Sequence, residues 1–271
     1  MHGKEPVMNL QLQNKLALVT GSTAGIGLAI AKALAAEGAR VIINGRTEAR
    51  VADAIASIRD AVPSAKLEGL ALDLSTADAA KETIKRFPNV DVLVNNLGIY
   101  PLRPFEEISD AEWMAIIETN FLSGVRLSRH YLPRMKTAGW GRIIFISSES
   151  GVNIPTEMIH YGVTKTMQIA LARGLAQTTA GTGVTVNSVL VGPTRSEGVE
   201  KFVGDIAKSK NVTSTDVEKD FFRNVRPSSL LQRFARPDEV APLVAFLASP
   251  LSASTNGAAL RAEGGTLNTI L

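Results

Sequence analysis

Residues 20–27 read "TGSTAGIG", and this stretch decides the fold. It follows the apolar run "KLALVT" (15–20) without a break. It leads into "IGLAIAKALAAE" (26–37), whose apolar positions recur every three to four residues until Gly38. That order predicts a strand, a glycine-rich turn and a helix closed by a glycine. Glycines at 21, 25 and 27 allow a tight turn and let the backbone approach a pyrophosphate closely. They also leave the first N–H groups of the helix facing anionic oxygens. Ser22, Thr23 and Ile26 lie in the same turn and are counted with the glycines as candidate dinucleotide contacts. The spacing departs from G-x-G-x-x-G, so the position of the turn at the first strand-to-helix junction carries the assignment.

Further along, "RVIING" (40–45), "LEGLALDL" (67–74), "VDVLVNN" (90–96), "RIIFISS" (142–148) and "GVTVNSVL" (183–190) alternate with longer alanine-rich stretches. Near-continuous apolar strands of this kind belong to a parallel sheet covered on both faces. The expectation is an α/β single-domain Rossmann fold: a doubly wound parallel sheet of about seven strands with helices on both faces. No linker-like segment, repeat or low-complexity block divides the chain, so one domain is assigned over 13–271, preceded by an N-terminal extension over 1–12 without expected order. The stretch between Gly192 and Pro237 is longer than an ordinary connection and mixes charge with aromatic residues. It is expected to form helices of its own, as a substrate lid at about 193–237 or as a subunit interface.

Composition narrows the function classes. Of 271 residues, 45% are hydrophobic and 20% charged, within the globular range. The formal net charge of +3 comes from basic residues interspersed with acids, which argues against a nucleic-acid partner. The absence of cysteine excludes disulfides, thiolate metal ligands and cysteine nucleophiles. The first residues carry no signal-peptide pattern, and no apolar run approaches the length needed to span a membrane, so a soluble cytoplasmic protein is expected. His2, His130 and His160 are scattered, with no carboxylate at metal-ligand spacing, so no metal is expected.

The end of the second strand reads "INGRT": Asn44, Gly45, Arg46, Thr47. A carboxylate there would bind a ribose 2′-hydroxyl and repel a 2′-phosphate. Arg46 in its place favours NADP(H), with NAD(H) the alternative if Arg46 is an ordinary surface arginine. Later, "HYGVTK" (160–165) sets Tyr161 one helical turn before Lys165. The two therefore share a helix face, and the ammonium can favour the phenolate. Alone, such a pair is better read as a core tyrosine beside a surface lysine, since Y-x-x-x-K is frequent by chance.

Taken in order, "TGSTAGIG", "NNLG" (95–98), "ISS" (146–148), "YGVTK" (161–165) and "VGPTRS" (191–196) resemble the short-chain dehydrogenase/reductase family, from about Lys15 to the C-terminus. The resemblance implies that Tyr161 is the general acid/base and that Lys165 supports it while binding the nicotinamide ribose. It implies that Ser148 holds the substrate oxygen and that Asn120, in "ETNFLSG", supports a proton relay through the lysine. It places Asp73 and Leu74, in "ALDLS", near the adenine, Asn95 and Gly98 beside the cofactor, and Gly192, Thr194 and Ser196 around the nicotinamide carboxamide. Glu149 and Glu157 fall between Ser148 and Tyr161 and are read as solvated loop carboxylates, with contact to a polar substrate as the alternative.

The chain departs from the family pattern at Leu97, Val191 and Glu263, where alanine, proline and aspartate are frequent. The closest analogy is to the 3-oxoacyl carrier-protein reductases. Gly139 and Thr182 stand where those enzymes carry arginines for the acidic carrier, so a small carbonyl compound is the favoured substrate. The resulting expectation is an NADP(H)-dependent carbonyl reductase or alcohol dehydrogenase, a homotetramer by resemblance. The alternatives are a 3-oxoacyl-thioester reductase and, from another class, a non-catalytic dinucleotide-binding sensor.

Overall fold

The computed structural model describes residues 9–270. The first half of the chain runs β1 (Leu16–Val19), α1 (Gly25–Ala36), β2 (Arg40–Gly45), α2 (Glu48–Ala61), β3 (Lys66–Ala71), α3 (Ala77–Arg86) and β4 (Val92–Asn95). It continues through α4 (Asp110–Ile117), α5 (Ser123–Thr137), β5 (Gly141–Ser148), α6 (Ile159–Gln177), β6 (Val184–Val191), α7 (Glu197–Lys210), α8 (Ser214–Asp220), α9 (Pro237–Ala248) and β7 (Ala259–Ala262). The strands form one parallel sheet in the order β3-β2-β1-β4-β5-β6-β7. The order reverses between β1 and β4, which opens a crevice at the carboxyl ends of these strands.

Strand alternation sends side chains to two cores. Leu18, Ile42, Leu93, Ile143, Phe145 and Val186 face one layer, where they meet Leu127 and Tyr131 of α5 and Ala172 of α6. Val19, Val41, Ile43, Val92, Ile144 and Val189 face the other, against Ile30 and Leu34 of α1 and Val240 and Val244 of α9. Both faces are therefore covered, which is why these strands read as unbroken apolar runs. The six apolar runs of the sequence fall on β1 to β6. β7, "ALRA", has no β-branched residue and lies half-exposed at the sheet edge, so it gave no comparable signal.

Two expectations change in detail. Residues 1–8 of the N-terminal extension lie outside the described residues. Of the remainder, Leu10 and Leu12 are buried in the core beside α1, so these two belong to the domain rather than to an extension. The 193–237 segment does form helices of its own. Val203, Ala207, Val217, Phe222 and Phe234 make a separate small core there, in which the rings of Phe221, Phe222 and Phe234 stack with centroids 5.1–5.2 Å apart. A single parallel bridge, Thr194 to Ala235, closes the base of this excursion.

Arg142 of β5 is fully buried, with no carboxylate partner among the described residues. It donates from Nε to Ser249 O (3.1 Å) and from Nη1 to Gly141 O and Gly183 O (2.9 Å each), and its guanidinium lies 4.6 Å from the Trp140 ring. Burial lowers its pKa to about 10. Three backbone carbonyls thus depend on one side chain to join β5, β6 and the end of α9. Arg142→Ala should cost about 3 kcal/mol of stability, because buried acceptors lose their donors. A urea midpoint that moves by the equivalent of less than about 1 kcal/mol would contradict this role.

Candidate active site

The glycine-rich turn is pinned from both sides. Gly21, at φ +60, donates its N–H to Asn44 Oδ1 at 3.0 Å. Asn44 is fully buried at the end of β2, and its Nδ2 donates to Leu70 O and Leu72 O at 3.0 Å each, which carries the tie on to β3. From β4, Asn96 Nδ2 donates to Thr20 O (2.9 Å) and Gly21 O (3.1 Å), while the amides of Asn96 and Leu97 donate to Thr20 Oγ1 (2.9 and 3.1 Å). Gly25 opens α1 at φ +53. A Cβ on Gly27 would stand 2.3 Å from Gly21 O and 2.5 Å from Asn96 Nδ2, so only glycine fits.

The donor set here fits the pyrophosphate of a dinucleotide. Thr47, Thr76 and Ser109 cap the first amides of α2, α3 and α4, but Ala24 gives those of α1 no side-chain acceptor. Among the described residues the first α1 amides, those before Leu28, therefore have no side-chain acceptor and lie beside a bare glycine surface. Gly45 lets Thr23 pack against the end of β2, since a Cβ on Gly45 would stand 2.4 Å from Thr23 Cγ2. Arg46 follows as an exposed cation with no hydrogen bond or ion pair among the described residues.

Across the crevice, α4 and α5 are joined by a π-helical turn, Glu118–Leu122, which carries Asn120 inward. Asn120 Oδ1 accepts the Ile99 amide (2.8 Å), and Nδ2 donates to Ile99 O (2.9 Å) and Thr164 Oγ1 (3.1 Å). Ser148 ends β5, and Tyr161 and Lys165 lie on α6. Lys165 is 5% exposed, and its Nζ donates to Ile146 O (2.9 Å) and Gln168 Oε1 (3.3 Å). Gln168 Nε2 in turn donates to the Asn120 carbonyl, so one amide links the lysine to the π-helical turn. Gly98 lies between them: a Cβ there would stand 3.6 Å from Lys165 Nζ and 3.7 Å from Asn120 Oδ1.

Burial sets the electrostatics. It lowers the Lys165 pKa to about 8. It pushes the Tyr161 phenol well above its ordinary range, opposed by Ser148 and Arg226 and reinforced by Glu149 and Tyr100. The sequence suggested that Lys165 would draw the phenol down. Instead its ammonium is desolvated, bonded elsewhere and 5.5 Å from the Tyr161 ring centroid, and desolvation of the phenol wins. Tyr100 lies edge-on to Tyr161, with centroids 6.3 Å apart.

Glu149 departs from its expected place as a solvated carboxylate: it is 5% exposed. Ser148 Oγ donates to Glu149 Oε2, and Arg226 of the 193–237 segment donates from Nε to Glu149 Oε1 at 3.3 Å. Arg226 Nη1 reaches Glu157 Oε1 at 3.3 Å, so Glu157 is also paired, though more exposed. This cluster had no short motif in the sequence, because its arginine arrives from 77 residues away.

Several expected contacts point elsewhere. Ser22 is fully buried, with Oγ donating to Val19 O (2.8 Å) and accepting the Asn44 amide (2.9 Å). Leu74 is in the core, and Asn95 turns toward α5, where Nδ2 donates to Ser128 Oγ at 3.3 Å. The side chains of these three are turned into the fold. Asp73 is exposed and accepts the Ser75 amide at 3.1 Å. Gly192 passes so close to β7 that a Cβ would stand 2.5 Å from Glu263 O. Thr194 Oγ1 donates to Gly192 O (2.9 Å), and Ser196 caps α7 next to Gly25, whose Cβ would lie 3.4 Å from Ser196 Cβ. Leu97 packs on Gly21, its Cδ1 3.3 Å from where a Gly21 Cβ would stand. His160 is fully buried with neither ring nitrogen bonded, edge-on to Trp113; His130 Nε2 meets Pro88 O at 2.9 Å.

Comparison with known proteins agrees with this arrangement. Residues 15–206 match the family model for short chain dehydrogenases. An oxidoreductase of Bacillus subtilis (strain 168), YvaG, is 48% identical over 97% of this chain and all of its own length. The D-beta-hydroxybutyrate dehydrogenase of Cupriavidus necator is 34% identical over 94% of this chain and 98% of its own. Among solved structures, L-sorbose reductase from Gluconobacter frateurii, complexed with NADPH and L-sorbose, superposes with a TM-score of 0.89 at 28% identity, over 97% of this chain and all of that one. A seven-stranded doubly wound sheet, a glycine turn with free helix amides and full-length similarity to such enzymes lead to one assignment: the chain belongs to the short-chain dehydrogenase/reductase family of nicotinamide-dinucleotide-dependent oxidoreductases.

Proposed function

We propose that the protein reduces a small ketone or aldehyde to an alcohol with NADPH, or runs the reverse reaction, with Tyr161 as general acid/base. The observation that supports this reading is that Lys165 Nζ and Asn120 Oδ1 flank Gly98, next to the Leu97 that packs on the glycine turn, while Ser148 interacts with the Tyr161 phenol. Gly21, Gly25 and Gly27 with the first amides of α1 would hold the pyrophosphate, and Arg46 with Thr23 the 2′-phosphate. The NADPH in the similar L-sorbose reductase structure supports that choice. The dinucleotide supplies the hydride for the carbonyl carbon.

The chain's own groups handle the proton. Burial keeps Tyr161 protonated through the neutral range, so it is poised to donate to the carbonyl oxygen as negative charge develops there. Ser148 offers that oxygen a second donor and fixes its position. Once the proton has left, Lys165 is the nearby cation that stabilises the phenolate, and Gln168 and Ile146 O hold its ammonium in place. Residues 193–237 act as the substrate lid in this reading, supported by the Arg226 ion pairs that join them to Glu149 and Glu157, between β5 and α6.

Tyr161→Phe should lower kcat for ketone reduction by about a thousandfold while NADPH still binds in a direct titration. A rate within tenfold of the parent would remove Tyr161 from the reaction. The pH profile of reduction gives a second check. Lys165 carries its charge below about pH 8 and loses it above, so kcat should fall on the alkaline side from about that pH. A rate that held constant two units higher would place the stabilising charge on another group.

A further inference from the structure

Among the described residues, the buried carboxylates are Glu149 and Glu263. Glu263 is accounted for, since it accepts the amides of Thr266 and Leu267 in the turn after β7. Glu149 lies instead beside the reacting groups, and burying a carboxylate is costly unless donors surround it. One donor is Arg226. The other is Ser148, whose Oγ accepts the Ser150 amide at 3.1 Å and gives its hydrogen to Glu149 Oε2. A serine hydroxyl has one hydrogen to give.

The proposed reaction, on which this inference rests, needs that hydrogen for the substrate oxygen. When Ser148 turns to the carbonyl, Glu149 Oε2 loses a donor in a place water scarcely reaches. The replacement has to come from the substrate, from an atom next to the oxygen that Ser148 has just bound. Two oxygens on adjacent carbons lie about 2.8 Å apart, so a hydroxyl next to the oxygen that Ser148 binds stays within hydrogen-bond reach of the acceptor Ser148 gives up. We propose that the site selects α-hydroxy carbonyl compounds, and vicinal diols in the reverse direction, with Glu149 Oε2 accepting the hydroxyl next to the reacting carbon. Arg226, held between Glu149 and Glu157, keeps the acceptor aimed from the lid side. A plain ketone occupies the same space but leaves a buried carboxylate oxygen short of a donor. Sites built for a substrate hydroxyl discriminate strongly against analogues that lack it.

The test compares hydroxyacetone with 2-butanone, which replaces the hydroxyl by a methyl group of similar size. With NADPH and the parent protein, kcat/KM should favour hydroxyacetone by at least about tenfold. Glu149→Gln keeps the shape and one acceptor and should narrow that ratio in part. Glu149→Met keeps the length with only a weak thioether acceptor and should bring it close to one. Equal kcat/KM for the two ketones in the parent, or a ratio that survives in Glu149→Met, overturns the proposal and leaves the reductase reading intact. Turnover of neither ketone overturns both. The parent ratio needs no variant, so the proposal stays falsifiable if a substitution disturbs folding.

Discussion

The hydrogen bond from the Gly21 amide to Asn44 Oδ1 organises the carboxyl end of the sheet. A peptide at φ +60 turns its N–H sideways, away from the strand ladder, and a buried N–H without an acceptor would cost on the order of 1–3 kcal/mol. Asn44 meets that need and, through Nδ2, fixes the ends of β2 and β3 at the same time. Asn96 and Thr20 do the equivalent toward β4. With both flanks held, α1 must start where its amides face the crevice, and the strands that deliver Ser148 and Lys165's acceptor Ile146 keep their register beside it. The turn is rigid because asparagines bind its backbone, and it is open because glycines leave it bare.

Around Tyr161 and Lys165 the balance is the opposite, since burial works against the charged form of each. The fall of Lys165 from 10.5 to about 8 corresponds to about 3 kcal/mol against its charged form. The sign follows from proton counting. Between about pH 8 and 10.5 the unfolded chain binds more protons at this lysine than the folded one, so the penalty is full below pH 8 and disappears as pH rises through that window. Strain of this size at a functional site is offset elsewhere, by the two cores and by ties such as Arg142.

Much of this was legible in the chain. Unbroken apolar runs between helix-periodic stretches gave the alternation of strands and helices, and the position of the glycine turn at the first strand-to-helix junction gave the crevice. Tyr161, Lys165, Ser148 and Asn120 stood in recognisable order. What escaped is equally specific. Asn44 and Asn96 sit inside or beside the quoted motifs, yet which of two adjacent asparagines faces the turn depends on the strand's pleat: Asn96 bonds the turn, while Asn95 turns toward α5. Gln168 and Arg226 act through contacts with Asn120 and Glu149 that are 48 and 77 residues distant in sequence. No local pattern encodes a partner that the fold brings in from another element. Glu149 looked like a solvated loop carboxylate for the same reason, since its partner Arg226 comes from the 193–237 segment.

The central claim is that a pinned glycine turn followed by a free arginine makes an NADP(H) site. Isothermal titration of the purified protein with NADPH and NADH in parallel, at low salt so that phosphate contacts are unscreened, tests it most directly. The account predicts NADPH binding at least about tenfold tighter than NADH, the value of one charge-assisted phosphate contact. Equal affinity, or a preference for NADH, would contradict it and reduce Arg46 to a surface charge.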